Sequence, residues 1–125
     1  MTERLFVILG SLNMLIAVGA GAFGAHGLKR SLSADMLAVW QTAVTYQGMH
    51  ALGMIAVALL MPRLGGGAGA GWLMQIGIVF FSGSLYLLAL TGTRILGAIT
   101  PLGGVAFMLG WAWLAWTAVR QPWNP

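Results

Sequence analysis

Polar and apolar positions alternate along this chain in long blocks. The eight charged residues sit at Glu3, Arg4, Lys29, Arg30, Asp35, Arg63, Arg94 and Arg120. Between them run four charge-free stretches, Leu5 to Leu28, Met36 to Pro62, Leu64 to Thr93 and Ile95 to Val119. Each exceeds the ~20 apolar residues that a helix needs to cross a bilayer. A charge at mid-bilayer costs at least ~2.5–3.5 kcal/mol, so a four-span protein pushes its charges into the gaps. The pattern predicts a single all-α domain over 1–125, an integral membrane four-helix bundle with spans at about 5–26, 36–61, 72–91 and 99–119.

Local signals sharpen the boundaries. Gly27 suits a left-handed residue ending the first helix. Ser31 or Ser33 can cap the second, with Asp35 in its first turn. The second helix is expected from Ala34 to Met61, with Pro62 ending it. Gly65 to Gly71 (GGGAGAG) reads as a flexible linker; it lacks the Gly-Lys-Ser/Thr ending of a phosphate loop. The third span follows from Trp72. Thr91 to Thr100 turns the chain, and Pro101 fits the first turn of the fourth helix, where a missing N–H does no harm. Arg4, an apolar run and Ala20-Gly21-Ala22 imitate a cleaved signal peptide. Glu3 and the continuation of the apolar run past the would-be cut argue against that reading.

An even number of spans puts both termini on one side. Arg4, Arg63 and Arg120 belong to that side, Lys29, Arg30 and Arg94 to the other, so the positive-inside rule does not decide the orientation. Trp72, Trp113, Trp116 and Trp123 mark the terminus side as an aromatic interface.

Composition excludes whole classes. The chain is 59% hydrophobic and 6% charged, with 19 glycines, against about a quarter charged in soluble domains. It cannot be a water-soluble globule or a disordered chain. The net charge of +4 and pI of 10.9 come without any basic cluster beyond Lys29-Arg30, so no nucleic-acid partner is expected. The absence of cysteine removes disulfides, thiolate metal sites and c-type haem attachment.

At 100° per residue, one face of the first span collects Gly10, Asn13, Ala17, Ala20, Gly24 and Gly27, small residues that let helices approach closely in lipid. Asn13 within that face reads as an interhelical hydrogen bond. The second span is the most polar. Thr42, Tyr46, His50 and Gly53 share a stripe, with Gln47 beside it and Gln41 and Thr45 extending the polarity. Polar residues inside a membrane face protein or water and often mark function; the competing reading is a structural network in which Tyr46 and Gln47 satisfy His50. The third span places Gln75, Ser82 and Tyr86 on one stripe, with Ser84 pointing away. The fourth offers Gly103, Phe107, Gly110, Leu114 and Thr117 on one face, with Gly97, Gly104 and Trp111 beside it. His26 is expected to help close the C-terminus of the first helix.

Few mechanisms survive. No span holds Asp or Glu, which removes the usual carboxylate route for coupled transport and the carboxylate ligands of a di-metal bundle. A Ser82 or Ser84 nucleophile would lack an acidic orienter for His50. His26 and His50 lie at different depths, which argues against a bis-His haem. No catalytic residue, cofactor or metal is expected.

Gly21 to Leu28 (GAFGAHGL), Gln41-Thr42-Ala43-Val44 with Tyr46-Gln47 and His50-Ala51-Leu52, Ser82 to Tyr86 (SGSLY), Thr100 to Gly104 (TPLGG) and Gly110-Trp111 stand in order along nearly the whole chain. In these segments the sequence resembles the Domain of Unknown Function 423 family, itself similar to transmembrane protein 256. The glycine-rich linker is the one departure. The resemblance implies a small multi-pass protein of the bacterial inner membrane with cytoplasmic termini. It implies no activity, cofactor or partner, so no residue role carries over. The expectation from sequence is a non-enzymatic protein in the lipid bilayer, acting by helix–helix association as a homo-oligomer or as an accessory subunit of other membrane proteins. The alternative is a binding or passage site for a small solute or lipid, lined by Asn13, Tyr46, Gln47, His50, Ser82 and Tyr86.

Overall fold

The computed structural model describes residues 1–125. Helix α1 spans Thr2–His26, α2 spans Ala34–Leu64, and α5 spans Leu96–Arg120. The third span is built from three pieces: α3 over Ala68–Gly77, a π-turn over Ile78–Ser82 and α4 over Gly83–Thr91. Four helical rods of 24 to 31 residues result. At 1.5 Å per residue each reaches at least ~36 Å, enough for the ~30 Å hydrocarbon core.

The packing order is α1, α2, third span, α5. Helix α2 and the third span occupy the middle and touch each other along their length, while α1 lies mainly on α2 and α5 mainly on the third span. Helices α1 and α5 do not meet. The bundle is therefore flattened, and its two outer helices turn most of their surface outward. Phe6, Met54, Val57, Ala58, Ala70, Met74, Ile78 and Phe107 form the main core. Leu28, Trp40 and Ala89 form a second cluster near the other end.

Several helix ends differ from the expectation. Ser33 does cap α2, its Oγ accepting the Met36 N–H at 3.2 Å. Gly27, however, is right-handed, with φ −79°. Its N–H and that of Leu28 both donate to the Phe23 carbonyl. A Cβ there would lie 2.5 Å from the half-exposed Phe23 ring, which would have to turn aside. Pro62 does not end α2; the helix runs on to Leu64 and stops where Gly65 turns left-handed at φ 66°. A proline so near a C-terminus forfeits one backbone bond without breaking the remaining turn.

The glycine-rich segment is only partly a linker. Ala68 to Gly71 already belong to α3. A Cβ on Gly69 would sit 2.7 Å from the Trp113 indole, and one on Gly71 would overlap the Phe6 ring. These glycines seat aromatic rings between helices. Helix α5 likewise begins at Leu96 rather than near Thr100, which puts Pro101 inside the helix. Its start is wound by i→i−3 bonds from Leu96, Gly97 and Ala98 to Thr93, Arg94 and Ile95.

Candidate functional site: a polar seam between three spans

The polar side chains inside the bundle form a chain of hydrogen bonds. The Tyr86 hydroxyl donates to Gln47 Oε1 at 2.7 Å. Gln47 Nε2 donates to Asn13 Oδ1 at 3.2 Å. Asn13 Nδ2 then donates to Gln75 Oε1 at 2.9 Å and to the Leu9 carbonyl at 2.9 Å. The chain thus runs α4, α2, α1, α3 and ties three spans together. In hydrocarbon no water can satisfy such groups, so each partner depends on the next. Asn13 and Gln47 are buried, and no buried side-chain nitrogen or oxygen anywhere in the chain is left unpaired.

Ser82 makes a separate tie, its hydroxyl donating to the Ala43 carbonyl at 2.8 Å. The third span contains one π-turn, in which the Gly83 N–H reaches back five residues to Ile78 O. Ser84 points away from the Gln75, Ser82 and Tyr86 stripe, as expected: it is buried against α5, where it pairs with Thr100 at 2.7 Å. At the same level α5 comes so close that a Cβ on Gly103 would overlap the Phe81 backbone.

His50 is not part of the seam. Its Nε2 accepts the Trp111 Nε1–H at 3.0 Å, and its Nδ1 faces the Tyr46 carbonyl at 2.8 Å. An indole N–H can only donate, so Nε2 carries the lone pair and Nδ1 carries the proton. The ring also lies flat on Phe107, with centroids 3.5 Å apart. His50 is therefore a neutral clamp between α2 and α5, with no nitrogen lone pair free for a metal or a substrate. The expected partners of His50 change accordingly. Gln47 serves Tyr86 and Asn13, and the only hydrogen-bonding group Tyr46 offers His50 is its backbone carbonyl.

The Tyr46 side chain is 38% exposed and leans on Phe81 and Phe107. It lines an outward groove with His50, Pro101, Gly104, Met108 and Trp111, so it leaves the interior that Gln47 and His50 enter. His26 is exposed at the end of α1, and backbone bonds alone close that helix. The packing residues Gly10, Ala17, Gly24, Gly103 and Gly110 are all buried. Gly10 meets Ile55 and the Ala51 carbonyl; Gly24 meets the Trp40 indole. Trp111 and Gln75 hold central partners yet stood outside the expected site. Gln75 shares the Ser82/Tyr86 stripe, a usable signal. Trp111 could be found only by knowing that α5 faces His50.

Four long apolar rods, a hydrogen-bonded interior and an oily exterior define a multi-pass α-helical membrane protein. The family model described as "Protein of unknown function (DUF423)" matches residues 20–104. A UPF0382 membrane protein of Staphylococcus saprophyticus is 55% identical, covering 89% of this chain and 93% of its own. The UPF0382 membrane protein YwdK of Bacillus subtilis is 53% identical, covering 94% and 98%. No solved structure matches the chain. The protein belongs to the DUF423/UPF0382 family of membrane proteins.

Proposed function

We propose that this is a non-enzymatic protein of the bacterial inner membrane that acts by lateral association, as a homo-oligomer or as the accessory subunit of a membrane complex. The observation that carries the reading is an open groove of about 420 Å³ between α1 and α2. It is lined by Ala17, Gly21, Ala22, Thr45 and Gly48 and flanked by Met14 and Met49. Small residues at a helix surface let another helix approach until backbones touch, which is how helices associate where the hydrophobic effect gives no drive.

The polar seam favours association over passage. Asn13, Gln47, Gln75 and Tyr86 spend their hydrogen bonds on one another, which leaves no row of free groups to replace a solute's hydration. Both termini lie on the same side by span count, and we place that side in the cytoplasm on the family resemblance. Native mass spectrometry from lipid nanodiscs, together with affinity capture in mild detergent, tests the proposal. A defined oligomer or a stoichiometric membrane partner is expected. A strictly monomeric, partnerless protein in both settings overturns it.

A further inference from the structure

We propose that the groove between the start of α3 and the end of α5 is a binding site for one anionic phospholipid of the terminus-side leaflet. This groove, of about 770 Å³, runs along α5 from Arg120 and Gln121 past Trp116 and Trp113 to Leu109, with Leu73 on its α3 wall. Leu109 lies eleven residues before Arg120, which is ~16 Å of helix. That is close to half of the ~30 Å hydrocarbon core. The groove therefore extends from headgroup level to the midplane, the depth of one acyl chain.

Its chemistry changes along that length as a phospholipid's does. The deep part is Leu73, Leu109 and Ala112. The middle is walled by Trp113 and Trp116, half-exposed indoles of the kind that sit at the headgroup boundary. Trp113 is held in place because its ring lies against Gly69, where a Cβ would come within 2.7 Å. The head is Arg120, whose guanidinium stands over the Trp116 ring at 5.7 Å.

Charge complementarity selects the ligand. The only ion pair in the chain joins the Met1 ammonium to Glu3. Arg120 has no carboxylate partner, and the groove contains no acidic residue. A guanidinium in this position takes a phosphate in two parallel hydrogen bonds. The acyl-shaped floor makes the phosphate that of a lipid rather than a free ion.

The test is native mass spectrometry of the full chain released from mixed phosphatidylglycerol–phosphatidylcholine nanodiscs. One retained phosphatidylglycerol per chain is expected, in preference to phosphatidylcholine. Arg120→Gln should lower that retention roughly tenfold, as loss of a charge-assisted hydrogen-bonding group does. Arg120→Lys should restore part of it. Arg94→Gln, on the opposite side of the membrane, should leave it unchanged. Equal retention of both lipids by the unaltered protein, no effect of Arg120→Gln, or an equal loss with Arg94→Gln each overturns the proposal. A dimer that carries no lipid also overturns it, because the groove would then seat a second copy.

Discussion

Gln47→Leu removes the middle link of the seam while keeping a side chain of similar volume. Two interhelical bonds disappear, from Tyr86 at 2.7 Å and to Asn13 at 3.2 Å. Interhelical hydrogen bonds inside membranes are worth about 0.6 kcal/mol on average and ~1.7 at most. The expected loss is therefore ~1–3 kcal/mol, because Tyr86 and Asn13 also lose partners that lipid cannot replace. Tyr86→Phe, which deletes one bond, should cost about half as much. The double variant should cost less than the two single losses summed, by roughly 0.5–1 kcal/mol, since each single change already breaks the shared bond. The assay is reversible unfolding in mixed detergent micelles followed by circular dichroism. Strict additivity, or a Gln47→Leu protein as stable as its parent, would refute the seam as a cohesive network.

Other changes probe separate contacts. Gly103→Ala should destabilise by about 3 kcal/mol, the top of the overpacking range, because its methyl meets the Phe81 backbone. The same assay should show Gly97→Ala neutral or stabilising by up to ~1 kcal/mol, since nothing lies near its Cβ position and alanine is the better helix former. Trp111→Phe should cost about 1–2 kcal/mol by stranding the His50 Nε2 acceptor. Nitrogen NMR of labelled His50 should show the Nδ1–H tautomer; an Nε2–H tautomer would contradict the Trp111 bond.

Most of the fold was readable because lipid imposes a strong rule on charge. Eight charges placed the four spans, and the small face of α1 identified its buried side from Gly10 to Gly24. The polar interior was legible in part. Asn13, Gln47 and Tyr86 stood on interior stripes, and the structure joins them. What periodicity could not reveal was partner choice. His50 turns to Trp111 because α5 faces that side of α2, a fact of tertiary packing absent from either helix alone. The π-turn over Ile78–Ser82 also escaped, since a one-residue shift leaves no compositional mark. The glycine-rich segment misled for a related reason. Flexibility and close packing require the same residue, and only the rings of Trp113 and Phe6 decide between them.

Association through the α1–α2 groove is open to a direct measurement, because the chain has no cysteine of its own. Single cysteines at Val18 and Ala22, which line the groove, and, as a control, at Met108 on the far helix α5 can be oxidised in native membranes. If the groove seats a second copy, Val18→Cys or Ala22→Cys gives a disulfide-linked dimer and Met108→Cys stays monomeric. If it seats another subunit, the α1 cysteines cross-link to one protein of fixed mass through a bifunctional thiol reagent. Monomer alone with every reagent, or cross-linking as strong from Met108 as from α1, would contradict the account.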